Sequence, residues 1–128
     1  MSHYSTHSTK LNDIDSIKDA CNELGLTIKE GGKVRYYSSS GQVNADYVIS
    51  WSGSPYDVGL VKDKITGNFN LVYDAYQGHV EKKLGKGCTK LIDSTTYHRI
   101  AKKAKLKGYF LTKKSDETGI EVTLTSYR

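Results

Sequence analysis

Asp57, Asp74 and His98 are the residues whose types could move a proton. Carboxylates beside an imidazole are common acid–base equipment, but nothing in this spacing requires the three to meet. Taken singly, Asp74 reads as a cap at a strand end and Asp57 as an outward polar strand position. His3 and His7 lie two strand repeats apart and would point the same way in an extended chain. That makes only a pair of ligands, where a stable metal site takes more. Nucleophilic catalysis needs an activated Ser, Cys or Thr, and no Gly-x-Ser-x-Gly elbow is present. The run Gly85-Lys86-Gly87 lacks the spacing of a phosphate loop. The two cysteines, Cys21 and Cys88, fit no zinc or redox pattern. Free thiols in a chain whose start shows no secretory leader point to a reducing compartment. The expectation is a protein that is not an enzyme and holds neither metal nor cofactor.

Charge is more informative than catalytic spacing. The formal net charge is +5 over 128 residues. Between His79 and Lys114 eleven Lys and Arg face only Glu81 and Asp93, a local balance of +9, while the rest of the chain carries −4. Such asymmetry suits an acidic partner, although a solvated lysine face is common on small domains. No window is apolar enough to suggest a membrane span.

The elements that must position these groups follow from periodicity. Tyr4 to Lys10 is β-branched and hydroxyl-rich, as strands are. Asn12 or Asp13 can cap a helix on which Ile14, Ile17, Cys21 and Leu24 draw one apolar stripe, closed by Gly25. The period then changes to two, through Leu26 to Ser38 with a turn at Glu30-Gly31-Gly32-Lys33, and again through Ala45 to Trp51. Tyr56 to Lys62, the connection Asp63 to Gly67 and the strand Asn68 to Asp74 complete an antiparallel meander. The stretch from Gln77 to Cys88 is ambiguous, because glycines interrupt it. Thr89 to Lys107 predicts a second helix with Ile92, Thr96, Ile100 and Ala104 on its core side, and Tyr109 to Ser126 predicts a terminal hairpin. The order is β-α-β meander-α-β-β. The fold class expected is α+β, a single domain over 1–128, with six to eight strands in a mainly antiparallel sheet and two main helices on one face.

Two surfaces follow. Arg35, Tyr36, Tyr37 and Gln42, with Tyr56 and Tyr76 at the sheet edge, form a tyrosine-rich candidate for binding a protein partner. Arg99, Lys102, Lys103, Lys105 and Lys107 on the second helix, with Lys113 and Lys114 beyond it, form a candidate for sequence-indifferent nucleic-acid binding. The leading expectation is a small binding or adaptor domain, with nucleic-acid binding as the alternative.

Several motifs carry a resemblance. Met1-Ser2-His3-Tyr4-Ser5-Thr6, Val34-Arg35-Tyr36-Tyr37 with Gly41-Gln42, Ala45-Asp46, Tyr56-Asp57-Val58-Gly59, Asp74-Ala75-Tyr76-Gln77-Gly78 and Tyr97-His98 follow one another along the chain. In this order they are similar to the family called hypothetical chloroplast reading frame thirty-five, of plastids and cyanobacteria, with bacterial and phage relatives. The sequence departs from that pattern at Ala75-Tyr76, where the family often carries tryptophan, and in the serine run Ser38–Ser40. The resemblance implies a compact domain working in the cytoplasm, in the plastid stroma or in a virus-infected host. It supplies no activity.

Overall fold

In a computed structural model, the described residues are 4–35, 43–116 and 119–126. Strand β1 (Tyr4–Ser8) is followed by helix α1 (Ile14–Glu23). Asp13 is the N-cap, its carboxylate accepting from the N–H groups of Asp15 and Ser16 and, at 2.6 Å, from the Ser16 hydroxyl. Ser16 thus bonds the cap through both its main-chain N–H and its hydroxyl. At the other end Gly25 adopts φ 70°, and Leu26 N–H reaches back to Cys21 C=O at 2.8 Å while Gly25 N–H reaches Asn22 C=O. This is the Schellman arrangement, which an L side chain at Gly25 would strain.

Strands β2 (Thr27–Glu30) and β3 (Lys33–Val34) come next, then β4 (Val43–Asn44), β5 (Tyr47–Ser50), β6 (Val58–Lys62) and β7 (Phe69–Asp74). They do not form one sheet. Among the described residues the main sheet is antiparallel and five-stranded, ordered β1-β7-β6-β5-β2, while β3 and β4 pair with each other in a separate ladder. The expectation of six to eight strands in one sheet is thus corrected. The Gly31-Gly32 turn, with both φ values positive, lifts the chain off β2 and onto the opposite face.

Strand alternation sorts the sheet residues onto two faces. On one face Ile49, Val58, Leu60, Leu71 and Tyr73 join Ile17, Ala20 and Cys21 of α1 in a single buried cluster. On the other face Val34 lies over Gly59 and Val72, all three buried.

After β7 the ambiguous stretch becomes helix α2 (His79–Leu84) between single 3-10 turns at Tyr76–Gly78 and Lys86–Cys88. Gln77, Gly78, Gly85, Gly87 and Cys88 all take positive φ, which explains why no period is visible there. Glu81 steadies the segment, accepting from Tyr73 Oη at 3.2 Å and from Gly87 N–H at 2.7 Å. Burial pushes the thiols of Cys21 and Cys88 up to about 12. Both should resist iodoacetamide at pH 8 in the folded protein and react at the rate of free thiols once urea unfolds it. Fast labelling of either thiol in the folded state would contradict their burial.

Helix α3 (Thr89–Leu106) packs against α1, and the hairpin of β8 (Tyr109–Asp116) and β9 (Gly119–Ser126) packs against α3. The buried side of α3 is Leu91, Ser94, Thr95 and Ala104. Ile100, expected in the core, is exposed, so the stripe is rotated from the predicted one. The cause is polar: Ser94 Oγ donates to Glu23 at 2.6 Å and Thr95 Oγ1 to the Leu91 carbonyl at 2.8 Å, so hydroxyls occupy the buried side at little cost.

Candidate binding surfaces

Asp57 precedes β6 and Asp74 ends β7, so two carboxylates come from adjacent strand ends. By alternation both share the face of Gly59 and Val72, and both are buried. Asp57 is therefore not the outward polar position its sequence suggested. It is held by Arg35, at the end of β3. Nε lies 3.1 and 3.0 Å from the two carboxylate oxygens, and Nη2 lies 2.9 Å from Oδ1. The main chain joins in: Arg35 N–H donates to Asp57 Oδ2 at 2.9 Å and Asp57 N–H to the Arg35 carbonyl at 3.0 Å. Nη2 also donates to the Ser54 carbonyl at 3.1 Å. The Asp57 side chain is 5% exposed, while that of Arg35 is 53% exposed. The clamp is thus a buried carboxylate aiming a half-exposed guanidinium, whose proton is held above its usual range by the Asp57 hydrogen bonds.

Around this clamp the β5–β6 and β7–α2 connections converge. Ser54 Oγ donates to the Tyr56 carbonyl at 2.6 Å, closing the turn before β6. Tyr56 is 8% exposed, with its ring edge-on to His79 at 5.3 Å. It is a support beneath the surface and no sheet-edge contact, which corrects the sequence reading. Asp74 Oδ1 accepts from Tyr76 N–H at 2.8 Å, the strand-end cap that was expected. Tyr76 is half-buried, and beside it Gln77 holds φ 53°, ψ 13°, a left-handed conformation of the kind that gathers at functional loops. Tyr36, Tyr37 and Gln42 fall outside the described residues.

His98 does not join the carboxylates. It sits on α3, on the helix-covered face of the sheet, with Nε2 3.6 Å from Glu23 Oε1. The trio Asp57, Asp74 and His98 is therefore not assembled. His7 stacks on Tyr73 at 4.9 Å, and among the described residues no cluster of His, Cys, Asp and Glu is arranged to hold a metal.

The basic surface divides into engaged and open cations. Lys102 pairs with Asp19 at 3.0 Å, and Lys113 hydrogen-bonds Glu23 while lying 4.4 Å above the Tyr97 ring. These two lysines tie α1, α3 and β8 together. Arg99 is half-buried, and Lys103, Lys105, Lys107 and Lys114 are exposed. Burial pushes the Glu23 carboxyl up, but hydrogen bonds from Lys113 and Ser94 outweigh it and hold it below its usual range. A depressed carboxyl contributes stability above its unfolded value of 4.5, and that contribution is lost as pH falls through the folded value. Amide exchange in β8, corrected for its intrinsic pH dependence, should therefore show less protection at about pH 3 than at pH 6. Glu23→Gln should flatten that difference. Equal protection in β8 at the two pH values in the unaltered chain would contradict it.

Neither the clamp nor the Glu23 junction was visible from spacing alone. Arg35 and Asp57 are signalled only as opposite charges in two motifs of the resemblance, which become partners once β3 is folded over β6.

The site is a polar cluster at one end of a small α+β domain, built from strand-end carboxylates and the loops between strands. The profile of a family described as "Protein of unknown function (DUF1257)" matches residues 20–125, and the chain belongs to that family. No curated protein and no solved structure matches the chain.

Proposed function

We propose that the protein is a small non-enzymatic binding domain that works through the sheet end around Arg35 and Tyr76, with Tyr36, Tyr37 and Gln42, outside the described residues, assigned to the same surface from the sequence alone. The observation that carries this reading is the Arg35–Asp57 clamp. A half-exposed guanidinium already fixed by a buried carboxylate loses little rotamer freedom when a partner arrives. Three of the motifs that carry the plastid-family resemblance, those containing Arg35, Asp57 and Tyr76, also meet at this end. The partner is a protein, and the domain works in the cytoplasm, or in the plastid stroma if that resemblance extends to source. The test is co-purification with a tagged chain. Tyr37→Ala and Tyr76→Ala should each lose the captured protein while keeping the circular dichroism of the parent. Retention of the same protein by both variants would reject this surface.

A second reading, sequence-indifferent nucleic-acid binding, is favoured by Lys103, Lys105, Lys107 and Lys114. All four are exposed, and among the described residues they enter no ion pair. Lys102 and Lys113 are already neutralised, which leaves about four phosphate contacts and a log K against log salt slope near −3.6 on duplex DNA. A salt titration with labelled duplex decides this reading. No binding at about 50 mM salt, or binding that survives charge reversal at Lys103 and Lys107, ends it.

A further inference from the structure

Strand β9 pairs only with β8, and its outer edge has no partner among the described residues. At eight residues each, β8 and β9 are the longest strands with an open edge, against five for β1 and four for β2. A long open edge is a template for another strand unless charge or proline guards it. β8 carries the exposed Lys114 as its guard. β9, Gly119-Ile120-Glu121-Val122-Thr123-Leu124-Thr125-Ser126, carries one charge, Glu121, which sits opposite Lys114 within the hairpin. Leu124 is 57% exposed in this strand.

We infer that β9 pairs antiparallel with β9 of a second copy of this chain, about a two-fold axis, to make a four-stranded sheet shared by two protomers. The argument for a second copy is charge. A two-fold centred on Thr123 sets Glu121 of each copy opposite Thr125 of the other, so no like charges meet across the new ladder. Pairing through β8 would instead crowd the exposed Lys114 of the two copies along one ladder. An isologous contact needs the strand to be complementary only to itself. In the resulting sheet β9 becomes central and the remaining edges are the lysine-guarded β8 strands, the arrangement that stops further growth. This inference concerns the β8–β9 hairpin, which shares no residue with the Arg35 surface, and is independent of the proposed function.

Sedimentation of the full chain from about 1 to 500 µM should show a monomer–dimer equilibrium. Thr123→Lys, at an exposed position, sets two lysines directly opposite each other on the two-fold and should raise the dimer dissociation constant at least about tenfold with unchanged circular dichroism. In the unaltered chain, outward-facing amides of β9 should exchange more slowly as concentration rises. That measurement stands even if the variant fails to fold. A monomer throughout the range, a dimer indifferent to the lysine, or assembly that continues past the dimer would each overturn the inference. Binding of duplex DNA or of the Tyr76-dependent partner by a chain that stays monomeric would overturn it while leaving the other readings intact.

Discussion

Gly59→Ala should destabilise the protein by about 2–3 kcal/mol in urea unfolding, with Gly59→Val costing more. A Cβ at this position would stand 2.5 Å from Val34 Cγ2, 2.7 Å from Val72 Cγ2 and 3.1 Å from Ala45 Cβ. Separations under 3 Å require something to move, and neither valine has room, since Val34 is fully buried and Val72 nearly so. The alanine also stiffens the unfolded chain, which returns under about 1 kcal/mol and does not change the sign. Because the closest collision is with Val34 of β3, while Val72 belongs to the sheet's own hydrogen-bonded ladder, the variant should lose the seating of β3–β4 on the sheet before it loses the sheet. Since Arg35 extends from β3, binding at the sheet end should weaken with it. A change within about 0.5 kcal/mol would mean that β3 is not held against Gly59.

The Arg35–Asp57 clamp should respond asymmetrically to truncation. Arg35→Ala leaves the Asp57 carboxylate buried with the Arg35 main-chain N–H as its remaining partner in the clamp, and should cost about 3 kcal/mol. Asp57→Ala releases a guanidinium that is already half in water, and should cost about 1–2 kcal/mol. The double variant should lie close to Asp57→Ala, because removing the carboxylate removes the unpaired charge. This double-mutant cycle is read in denaturant midpoints with unchanged slope. Equal costs for the two single variants, or an additive double variant, would show that burial of Asp57 is not what makes the pair matter.

The sequence showed α1 well, because each of its signals agrees: an aspartate cap, a stripe at steps of three and four, and a glycine where the backbone turns left-handed. β6, β7 and the terminal hairpin were legible for a similar reason, with alternation bounded by turn residues. Helix α3 was found, but its inner side was not. Periodicity weighs residue types, and here the buried side holds Ser94 and Thr95, whose hydroxyls are satisfied by Glu23 and by the helix itself. The same blindness affects the site. Tyr56 reads as an amphipathic surface residue until its contact with His79 is known, and Asp57 as outward until Arg35 arrives from 22 residues away. Pairings between distant charges depend on which strands are neighbours, and local patterning does not contain that.

The sheet order carries a consequence for how the chain assembles. β5, β6 and β7 are neighbours in sequence and in space, so the meander can close through short loops as soon as it exists. β1 is different: Tyr4 waits for Asp74 and Ser8 for Asn70. On a ribosome, β1 emerges before its partner and must remain unpaired until β7 has left the exit tunnel, and α1 must wait longer still for α3. β1 is thus made before every other strand of its sheet and is among the last docked. Its hydroxyl-rich composition, Tyr-Ser-Thr-His-Ser, suits a stretch that spends this interval in water. Pulse-labelled hydrogen exchange during refolding should find β6 and β7 protected before β1.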